Sequence, residues 1–462
     1  MFRVVASSDR AALTRLIERP PIRDRAVERA VAGIVRAVRR EGDPALVRYA
    51  RRFDHVSPPI EVPAEAISAG AARTPAVVRA ALATAARHIR AVARRQVPRG
   101  SIIHVAPGVT VEQRVSPLGR VGCYVPGGRY PLPSSLLMTA IPARVAGVSE
   151  VIVACPRPEP VVLAAALEAG VTRLFRVGGA HAIAAFAYGT DTIPRVDKIT
   201  GPGNAYVAAA KERVAPDCPI DLRAGPSEIV IVAAAGEPDW IAADLVAQAE
   251  HDVDARAILL TPSRRLAVSV SRAVARRVPT DGPAATALAR HGGAIVTRSL
   301  NEAIALANRI APEHLVCDDE EVARLVTAGT AFVGRLTAQA AGDYATGSNH
   351  VLPTTGAARH RGGLSAADFV RTSTVQRLTP AGLTGLAPAI VTLARAEGLE
   401  GHARSIEIRL NWLDRQAPEV GADAAGSEAR VSRAARRPPR AAAGRRASRG
   451  PKARARDRSI ER

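Results

Sequence analysis

The feature that most constrains the fold of this chain is an alternation of short β-branched runs with alanine-rich helical segments. VGCYVPGG, VSEVIVACP and RLFRVGG end in Gly or Pro, and each run is followed by a segment with helical periodicity. A second series, EIVIVAAAG, ARAILLTPS, AIVTRS and AFVGRL, repeats the pattern further along the chain. Strands that alternate with helices are typical of βαβ units on parallel sheets. We therefore predict an α/β protein with two tandem Rossmann-like parallel-sheet domains.

The formal net charge of +21 is concentrated at the C-terminus. Residues 430–462 contain 13 Lys and Arg but only 2 Asp and Glu. From Gln416 onward Ala, Arg, Pro, Gly and Ser alternate without apolar periodicity, and such a composition cannot offset the entropy lost on ordering. We predict a disordered basic tail over 416–462 and favour a solvated extension without function. The alternative is binding of RNA through phosphate contacts, although no aromatic residue is present for base stacking.

Cysteine usage and the N-terminal sequence indicate a reducing compartment. The four cysteines show no CxxC or zinc-finger spacing. The first nine residues lack the basic and apolar regions of a signal peptide, and no apolar run is long enough to span a membrane. We expect a cytoplasmic protein without membrane association, in which any metal ligand comes from His, Asp, Glu or Gln.

Glycine-rich segments follow or precede several predicted strands: VPGGRYPLPSS, VGGAHAIAAFAYGT, TGPGNAYV and RAGPSE. In open α/β sheets ligands bind at the carboxyl ends of strands, and helix starts cradle phosphate, so a nucleotide site is one interpretation. Simple tight turns are the other, because no segment reads GxGxxG. Five of the six tyrosines lie in or beside these segments, which favours stacking on a planar ligand: Tyr124, Tyr130, Tyr188, Tyr206 and Tyr344.

Several potential metal ligands and acid/base groups stand outside these turns. Gln248 and His251 are three residues apart on a predicted helix, about 60° apart around its axis, so both reach one point. An isolated histidine on a helix is more often a surface or core residue than a ligand. Further candidates occur as adjacent Glu313 and His314, as Asp343 in a Gly-rich loop, and as Glu397 with His402 near the C-terminus. A set of His, Asp and Gln without thiols suits zinc, and adjacent Glu and His offer acid/base groups of different pKa.

Eight motifs, taken together and in their order along the chain, resemble those of a known family. QRVSPLGRVGCYVPGGRYPLPSS, VGGAHAIAAFAYGT, KITGPGNAYV, AGPSE, LVAQAEHD, APEHL, GDYATGSNHVLPT and EGLEGHARSIEIR occur in this order. Together they closely resemble the histidinol dehydrogenase family over residues 24–415. The resemblance implies a zinc-dependent, NAD-linked four-electron oxidation of L-histidinol via L-histidinal to L-histidine, the last steps of histidine biosynthesis.

The resemblance also implies roles for individual residues. It places one Zn²⁺ per subunit on four ligands: Gln248, His251, Asp343 and His402. His314 is the implied base in hydride transfer, and Glu313 activates water. The implied substrate contacts comprise the zinc ligands, the catalytic pair and two further side chains: Ser227, Gln248, His251, Glu313, His314, Asp343, Glu397 and His402. The implied NAD contacts are Tyr124, His181 and Asn204.

Position 181 departs from the family pattern. The family usually has Gln in the motif GGAQ, whereas this chain has His181. A histidine can donate one hydrogen bond to the cofactor, but it cannot reproduce the paired donor and acceptor of an amide. Residues 360–363, HRGG, also replace more usual aromatic and serine residues, with no implied functional position lost.

Together the pattern and the resemblance predict a division of the chain. The expected parts are an N-terminal helical arm (1–23), a first α/β domain with the catalytic and zinc residues (24–108 and 228–365), a second, NAD-binding α/β domain (109–227), a C-terminal helical arm (366–415) and the tail (416–462). The resemblance implies a homodimer in which the C-terminal arm completes the partner's active site. A related dehydrogenase acting on another polar alcohol is the alternative, and Glu397 with His402 favours histidinol.

Overall fold

The computed structural model describes most of the chain. It covers residues 2–18, 24–127, 130–222 and 225–416. The tail predicted over 416–462 therefore lies outside the described residues, except for Gln416, which ends the last helix.

The described chain forms two units. Unit 1 holds the residues up to Ser101 and Gln113–Ser373. Unit 2 holds Ile102–Glu112 and the residues from Thr374 onward. All of the parallel strands that carry candidate site residues belong to unit 1.

Fourteen strands and seventeen α-helices are named in chain order for the described residues. The strands are β1 (Arg3–Ala6), β2 (Glu61–Val62), β3 (Ser101–Ala106), β4 (Val109–Pro117), β5 (Arg120–Tyr124), β6 (Glu150–Ala154), β7 (Arg173–Phe175), β8 (Lys198–Thr200), β9 (Glu228–Val232), β10 (Arg256–Thr261), β11 (Gly292–Val296), β12 (His314–Cys317), β13 (Thr330–Val333) and β14 (Val370–Leu378). The helices are α1 (Arg10–Ile17), α2 (Arg25–Glu41), α3 (Asp43–Tyr49), α4 (Ala64–Ala72), α5 (Ala76–Gln96), α6 (Pro133–Val145), α7 (Pro160–Ala169), α8 (Gly179–Tyr188), α9 (Ala205–Val214), α10 (Pro238–Ala249), α11 (Arg264–Arg277), α12 (Pro283–His291), α13 (Leu300–Ile310), α14 (Glu320–Leu325), α15 (Gln339–Tyr344), α16 (Pro380–Ala396) and α17 (Glu400–Gln416). A π-helical segment, Ala50–Asp54, continues α3, and short 3₁₀ turns occupy Ala357–Arg359 and Ala366–Phe369.

A six-stranded sheet forms one half of unit 1. Its order is β1-β11-β10-β9-β12-β13, and every neighbouring pair is parallel. All five residues of β9 and all six of β10 are buried, as expected for parallel strands covered on both faces. Helices α10, α11 and α12 pack on one face, and α1, α13 and α14 pack on the other.

A five-stranded sheet forms the other half of unit 1. Its order is β2-β7-β6-β5-β8, with β2 antiparallel at one edge and the remaining pairs parallel. Helices α4 to α7 cover one face, and α2, α3, α8 and α9 cover the other. Helix α2 buries residues at helical spacing, Val31, Ile34, Val35 and Val38. The Asp24 side chain caps its start.

The predicted α/β class with two parallel sheets is confirmed. Two segments predicted as helical also contain strands: β1 pairs with β11 at the N-terminus, and β14 occupies part of 366–415. The helices of 24–108 pack on the five-stranded sheet, although the sequence groups them with the other α/β domain. Their apolar stripes gave no indication of which sheet they cover. The domain boundaries themselves stay a prediction.

Unit 2 contains helices α16 and α17 and parts of three strands, β3, β4 and β14, which pair in the order β14-β4-β3. Gly398, at φ +74°, separates the two helices, a conformation that favours glycine. Arg395 forms ion pairs with Glu400 and Glu407 that join α16 to α17. No helix among the described residues is sufficiently long and apolar to cross a membrane.

A buried ion pair fixes the loop that follows β8. The Lys211 ammonium donates to the Gly201 carbonyl oxygen at 2.8 Å and forms an ion pair with Asp221. The Gly201 N–H donates to the other oxygen of Asp221 at 2.7 Å. Gly201 lies at φ +113° against the main chain of Tyr124, which leaves no room for a side chain. Lys211 and Asp221 therefore hold the loop against the end of β5.

We predict that Lys211→Met lowers the free energy of unfolding by about 3–5 kcal/mol, because it leaves the Asp221 carboxylate buried without its counter-ion. Lys198→Met is the matched control: Lys198 donates to the Asp368 carbonyl at 2.8 Å but retains contact with solvent. Its loss is expected to cost about 1 kcal/mol. Urea unfolding of both variants provides the measurement. Equal costs would show that the Lys211 pair has no special weight in the fold.

Candidate active site

The adjacent residues Glu313 and His314 lie at the amino end of β12, directly beside the start of β9. The Glu228 N–H donates to Glu313 Oε2 at 2.8 Å. His314 Nδ1 lies 3.2 Å from the Glu228 carbonyl oxygen. A carbonyl oxygen only accepts, so Nδ1 carries the proton and Nε2 of the neutral ring is a base. His314 Nε2 is buried and has no hydrogen-bond partner among the described residues.

Burial tunes both members of this pair. Desolvation lowers the pKa of His314 from its ordinary value of 6.5 to about 4, against the opposing effect of the Asp343 carboxylate. Desolvation also raises the pKa of Glu313 well above its ordinary 4.5, although the hydrogen bond from Glu228 opposes the shift. The Phe332 ring, 5.9 Å from the His314 ring, contributes to the apolar surroundings. At neutral pH His314 is thus a neutral imidazole that is able to accept a proton.

Asp343 gathers the polar groups of this region. Its carboxylate lies 3.6 Å from His251 Nε2 and 4.0 Å from His314 Nε2, and it accepts a hydrogen bond from Gln339 Nε2 at 2.8 Å. His350 Nδ1 lies 2.9 Å from the Asp343 carbonyl oxygen. Burial raises the pKa of Asp343, but the three histidines together bring it below its ordinary value. Asp343 is therefore an anion surrounded by imidazoles.

Gln248 is completely buried on α10. Neither its Oε1 nor its Nε2 has a hydrogen-bond partner among the described residues. Each such group costs about 1–3 kcal/mol when left unsatisfied, so the amide is suited to a bound group. His251, Asp343 and the Gln248 amide together form an N/O donor set without thiols, which fits zinc.

One of the four predicted metal ligands, His402, lies in unit 2. Among the described residues, no group of three or more His, Cys, Asp and Glu side chains is arranged to hold a metal ion. The amide of Gln248 is a further potential ligand in unit 1, whereas His402 belongs to unit 2. Glu397 caps the end of α16 and His402 lies in the first turn of α17, and both are exposed. Ser227, which is half-buried, precedes β9.

Two predicted local structures are wrong. Helix α10 ends at Ala249, so His251 lies beyond the helix, with its N–H 3.3 Å from the Gln248 carbonyl. The Asp252 carboxylate, which accepts from the Asp254 N–H, stabilises the turn that replaces the helix. Asp343 lies on the short helix α15 and not in a loop. Gly347, one of the residues that suggested a loop, lies after the end of this helix.

The predicted cofactor residues lie together elsewhere in unit 1. Tyr124, His181 and Asn204 line one cavity of about 1400 Å³, large enough for a dinucleotide. Four arginines also line it, Arg52, Arg73, Arg157 and Arg176, against two acids, Asp54 and Glu159. This excess of positive charge favours an anionic ligand such as one carrying phosphates.

The elements around the cavity fix these side chains. The Tyr124 hydroxyl accepts from the Gly179 N–H at the start of α8, at 3.1 Å. Asn204 Oδ1 caps α9 by accepting from Tyr206 and Val207, each at 3.1 Å. The side-chain amide of Asn204 thus uses its oxygen within the fold, while its NH₂ group can donate to a ligand.

The cofactor candidates lie at the carboxyl ends of the strands of one sheet, and the catalytic candidates lie at the amino ends of the strands of the other. Tyr124 ends β5, and Asn204 follows β8, so the cavity lies at the carboxyl ends of the five-stranded sheet, as predicted. Glu313 and Ser227 precede β12 and β9, so the catalytic candidates lie at the amino ends of the six-stranded sheet. The segment RAGPSE consequently differs from the other glycine-rich segments, because it precedes a strand.

Three residues around the site were not singled out from the sequence: Glu228, Gln339 and His350. Glu228 acts through its main chain, for which a sequence carries no direct signal. Gln339 is four residues before Asp343, a helical spacing that could have indicated their contact. His350 lies in the motif GDYATGSNH, and its proximity to Asp343 in sequence was the available signal.

Comparisons with known proteins agree on one family. A family model described as histidinol dehydrogenase matches residues 17–410. A histidinol dehydrogenase of Caulobacter vibrioides is 50% identical over 396 residues, which cover 83% of this chain and 92% of the relative. One of Cereibacter sphaeroides is 49% identical over 403 residues, with 84% and 93% covered. The crystal structure of histidinol dehydrogenase from Elizabethkingia anophelis has a TM-score of 0.84 at 33% identity and covers 89% of this chain and 99% of that one.

We predict that acid destabilises the metal-free protein partly through His314. Its pKa is lower in the folded state, about 4, than the ordinary 6.5. Its contribution to stability is therefore fully present above pH 6.5 and is lost as the pH falls toward 4, at about 1.4 kcal/mol per pH unit. His314→Asn should remove this slope in urea unfolding. His291→Asn, at a partly buried histidine whose pKa is also lowered, should have a smaller effect. An unchanged slope in His314→Asn would contradict the assignment.

Proposed function

The chain belongs to the histidinol dehydrogenase family, and from this premise we propose that it oxidises L-histidinol via L-histidinal to L-histidine with NAD as hydride acceptor. The observation that carries the proposal is the buried Nε2 of His314, which has no hydrogen-bond partner among the described residues and lies 4.0 Å from the Asp343 carboxylate. The buried amide of Gln248 likewise has no partner among those residues. Folding alone leaves both groups unsatisfied. A substrate alcohol would satisfy the imidazole nitrogen, and a bound metal would satisfy the amide oxygen.

Zinc is the metal that the donor set fits. Gln248, His251 and Asp343, with His402 from a second copy of the chain, would hold one Zn²⁺ per subunit. The bound metal would supply a Lewis acid that orients the imidazole and amine of the substrate. Ser227 and Glu397 offer a hydroxyl and a carboxylate to the same polar substrate. Tyr124, His181 and Asn204 would hold NAD, which accepts hydride.

His314 acts as the base in the first oxidation. The Glu228 carbonyl holds the proton on Nδ1, so Nε2 is available to take the alcohol proton of histidinol. Burial disfavours the imidazolium that forms when His314 takes the proton. The Asp343 carboxylate, 4.0 Å from Nε2, opposes this effect by stabilising the positive charge. The reaction converts the alcohol to an aldehyde as its carbon-bound hydrogen leaves as hydride.

Glu313 acts in the second oxidation. Its raised pKa makes the carboxylate a stronger base than an exposed glutamate, and the Glu228 N–H fixes one of its oxygens. Glu313 takes a proton from water, the oxygen of which adds to the aldehyde to form a gem-diol. The protonated His314 returns its proton to the aldehyde oxygen, which completes the gem-diol and restores the neutral imidazole. His314 then accepts a hydroxyl proton of the gem-diol while the second hydride leaves, and both side chains afterwards release their protons to solvent. Retaining the aldehyde between the steps prevents release of a reactive intermediate.

We predict two NADH per histidinol consumed, because only a four-electron oxidation uses two hydride acceptors. Absorbance of NADH, together with product analysis, measures the ratio. Glu313→Gln should shift the ratio toward one and accumulate the aldehyde, since hydration is slowed, whereas His314→Asn should abolish both steps. Other small polar alcohols provide the substrate control. One NADH per histidinol in the unmodified enzyme would exclude the proposed reaction.

We also propose a homodimer with shared active sites in a reducing cytoplasm. Its support is that Glu397 and His402 belong to unit 2, which exposes large apolar side chains including Leu393, Ile408 and Trp412. Exposed apolar faces of this kind are suited to a partner subunit. The four cysteines are buried and none forms a disulfide, which is consistent with a reducing compartment.

Shared sites predict complementation between inactive subunits. His251→Ala and His402→Ala should each be inactive and zinc-poor when expressed alone. In a mixed dimer one site receives both an intact His251 and an intact His402, so coexpression should restore part of the activity. Separately tagged subunits allow the mixed dimer to be purified and assayed. Mixed dimers that stay fully inactive would show that His402 does not complete the partner's site.

A further inference from the structure

His181 contacts the carboxylate of Asp54, a residue with no part in the proposed zinc, substrate or cofactor contacts. It lies in the first turn of α8, and its Nε2 is 2.8 Å from Asp54 Oδ2. The two side chains are 1% and 9% exposed, respectively. Asp54 ends the π-helical segment that continues α3, so the contact joins two elements that are far apart in the sequence. Both residues line the cavity proposed to hold NAD.

The contact determines which ring nitrogen carries the proton. A carboxylate only accepts hydrogen bonds, so Nε2 of His181 must be the donor. The rings of Tyr49 and Phe53, which stack on each other at 5.8 Å, lie 6.0 and 6.2 Å from the imidazole. Nδ1 has no hydrogen-bond partner among the described residues. The ring is consequently fixed in one orientation with one nitrogen, Nδ1, left for a ligand.

This arrangement changes the expected chemistry at position 181. From the sequence we expect His181 to donate a hydrogen bond to the cofactor, but Asp54 already uses the N–H of the neutral ring. The remaining Nδ1 is an acceptor. A ligand that contacts it must therefore present an N–H or O–H group, and a dinucleotide has both, in its amides, amines and ribose hydroxyls.

We propose that Asp54 is a positioning residue for the cofactor: it fixes the tautomer and orientation of His181 so that Nδ1 accepts a hydrogen bond from the dinucleotide. The inference rests on the proposed function, because it takes NAD as the occupant of the cavity. Asp54 touches no reacting atom and acts through His181.

Asp54 has a second contact that the test must separate from the first. Its Oδ2 also accepts from the Gly178 N–H at 2.9 Å, which stabilises the turn before α8. Asp54→Asn is the suitable variant, because an asparagine oxygen can still accept from Gly178. Both contacts use Oδ2, so the asparagine oxygen can still accept from Nε2 as well, but without the negative charge the hydrogen bond that fixes the tautomer of His181 is much weaker.

The experiment is a double-mutant cycle on the full-length enzyme. The dissociation constant of NAD⁺ is measured by calorimetry without histidinol for the parent, Asp54→Asn, His181→Gln and the double variant. We expect Asp54→Asn to weaken NAD⁺ binding roughly tenfold, as for loss of a hydrogen bond to a charged group. In the His181→Gln background the same substitution should change the constant less than about twofold, because the two positions are coupled.

Thermal midpoints and the KM for histidinol are measured alongside. Asp43→Asn is the matched control: Asp43 accepts from Thr192 at 2.5 Å in the same helical region but does not line the cavity. It should change the thermal midpoint without changing NAD⁺ affinity. The KM for histidinol should stay unchanged in Asp54→Asn.

Each contrary outcome has a separate meaning. Equal weakening by Asp54→Asn in both backgrounds would overturn the proposal, because Asp54 would then act through the Gly178 turn. Unchanged affinity in Asp54→Asn would overturn it as well. Failure of the parent enzyme to bind NAD⁺ would reject the proposed function itself.

Discussion

The parallel pairing of β9 with β12 is the constraint on which the candidate active site depends. The register places His314 opposite Ile229, so the main chain of Glu228 reaches both members of the Glu313–His314 pair. Its N–H fixes Glu313, and its carbonyl fixes the tautomer of His314. A shift by one residue would turn every side chain of the strand to the other face. The acid/base chemistry thus rests on strand register more than on contacts between side chains.

The same polypeptide segment links the catalytic candidates to the loop beside the cofactor cavity. Asp221 holds Gly201 through the buried pair with Lys211, and Ser227 lies six residues further along the chain. Six residues span at most about 22 Å even when fully extended. The connection between the two sheets is therefore short. Asp221, with its contact to Gly201, lies at one end, and strand β9 begins at the other.

The sequence predicted the class of fold and the residue types of the site better than their local structure. The β-branched runs of β9 and β10 are long enough to be recognised, whereas β12 has four residues and β8 has three, too few for a periodicity. Long motifs brought Gln248, His251, Asp343, Glu313 and His314 into consideration. The fold joins four of them by contacts of 4.0 Å or less: His251, Asp343, His314 and Glu313. The main-chain contacts of Glu228 and the Asp54–His181 pair depend on tertiary packing between distant segments, which no local pattern specifies. Similarly, the spacing of Gln248 and His251 predicted that both lie on one helix. Helix α10 nevertheless ends before His251, where a turn stabilised by the Asp252 carboxylate follows.

We propose above all that the buried amide of Gln248, with His251 and Asp343, holds zinc through nitrogen and oxygen ligands alone. Zinc K-edge X-ray absorption of the purified full-length enzyme tests this claim most directly. We expect a first coordination shell of nitrogen and oxygen at about 2.0–2.1 Å without sulfur, and a changed spectrum or lost zinc in Gln248→Ala. Scattering from sulfur near 2.3 Å, or an identical zinc spectrum in Gln248→Ala, would contradict the account.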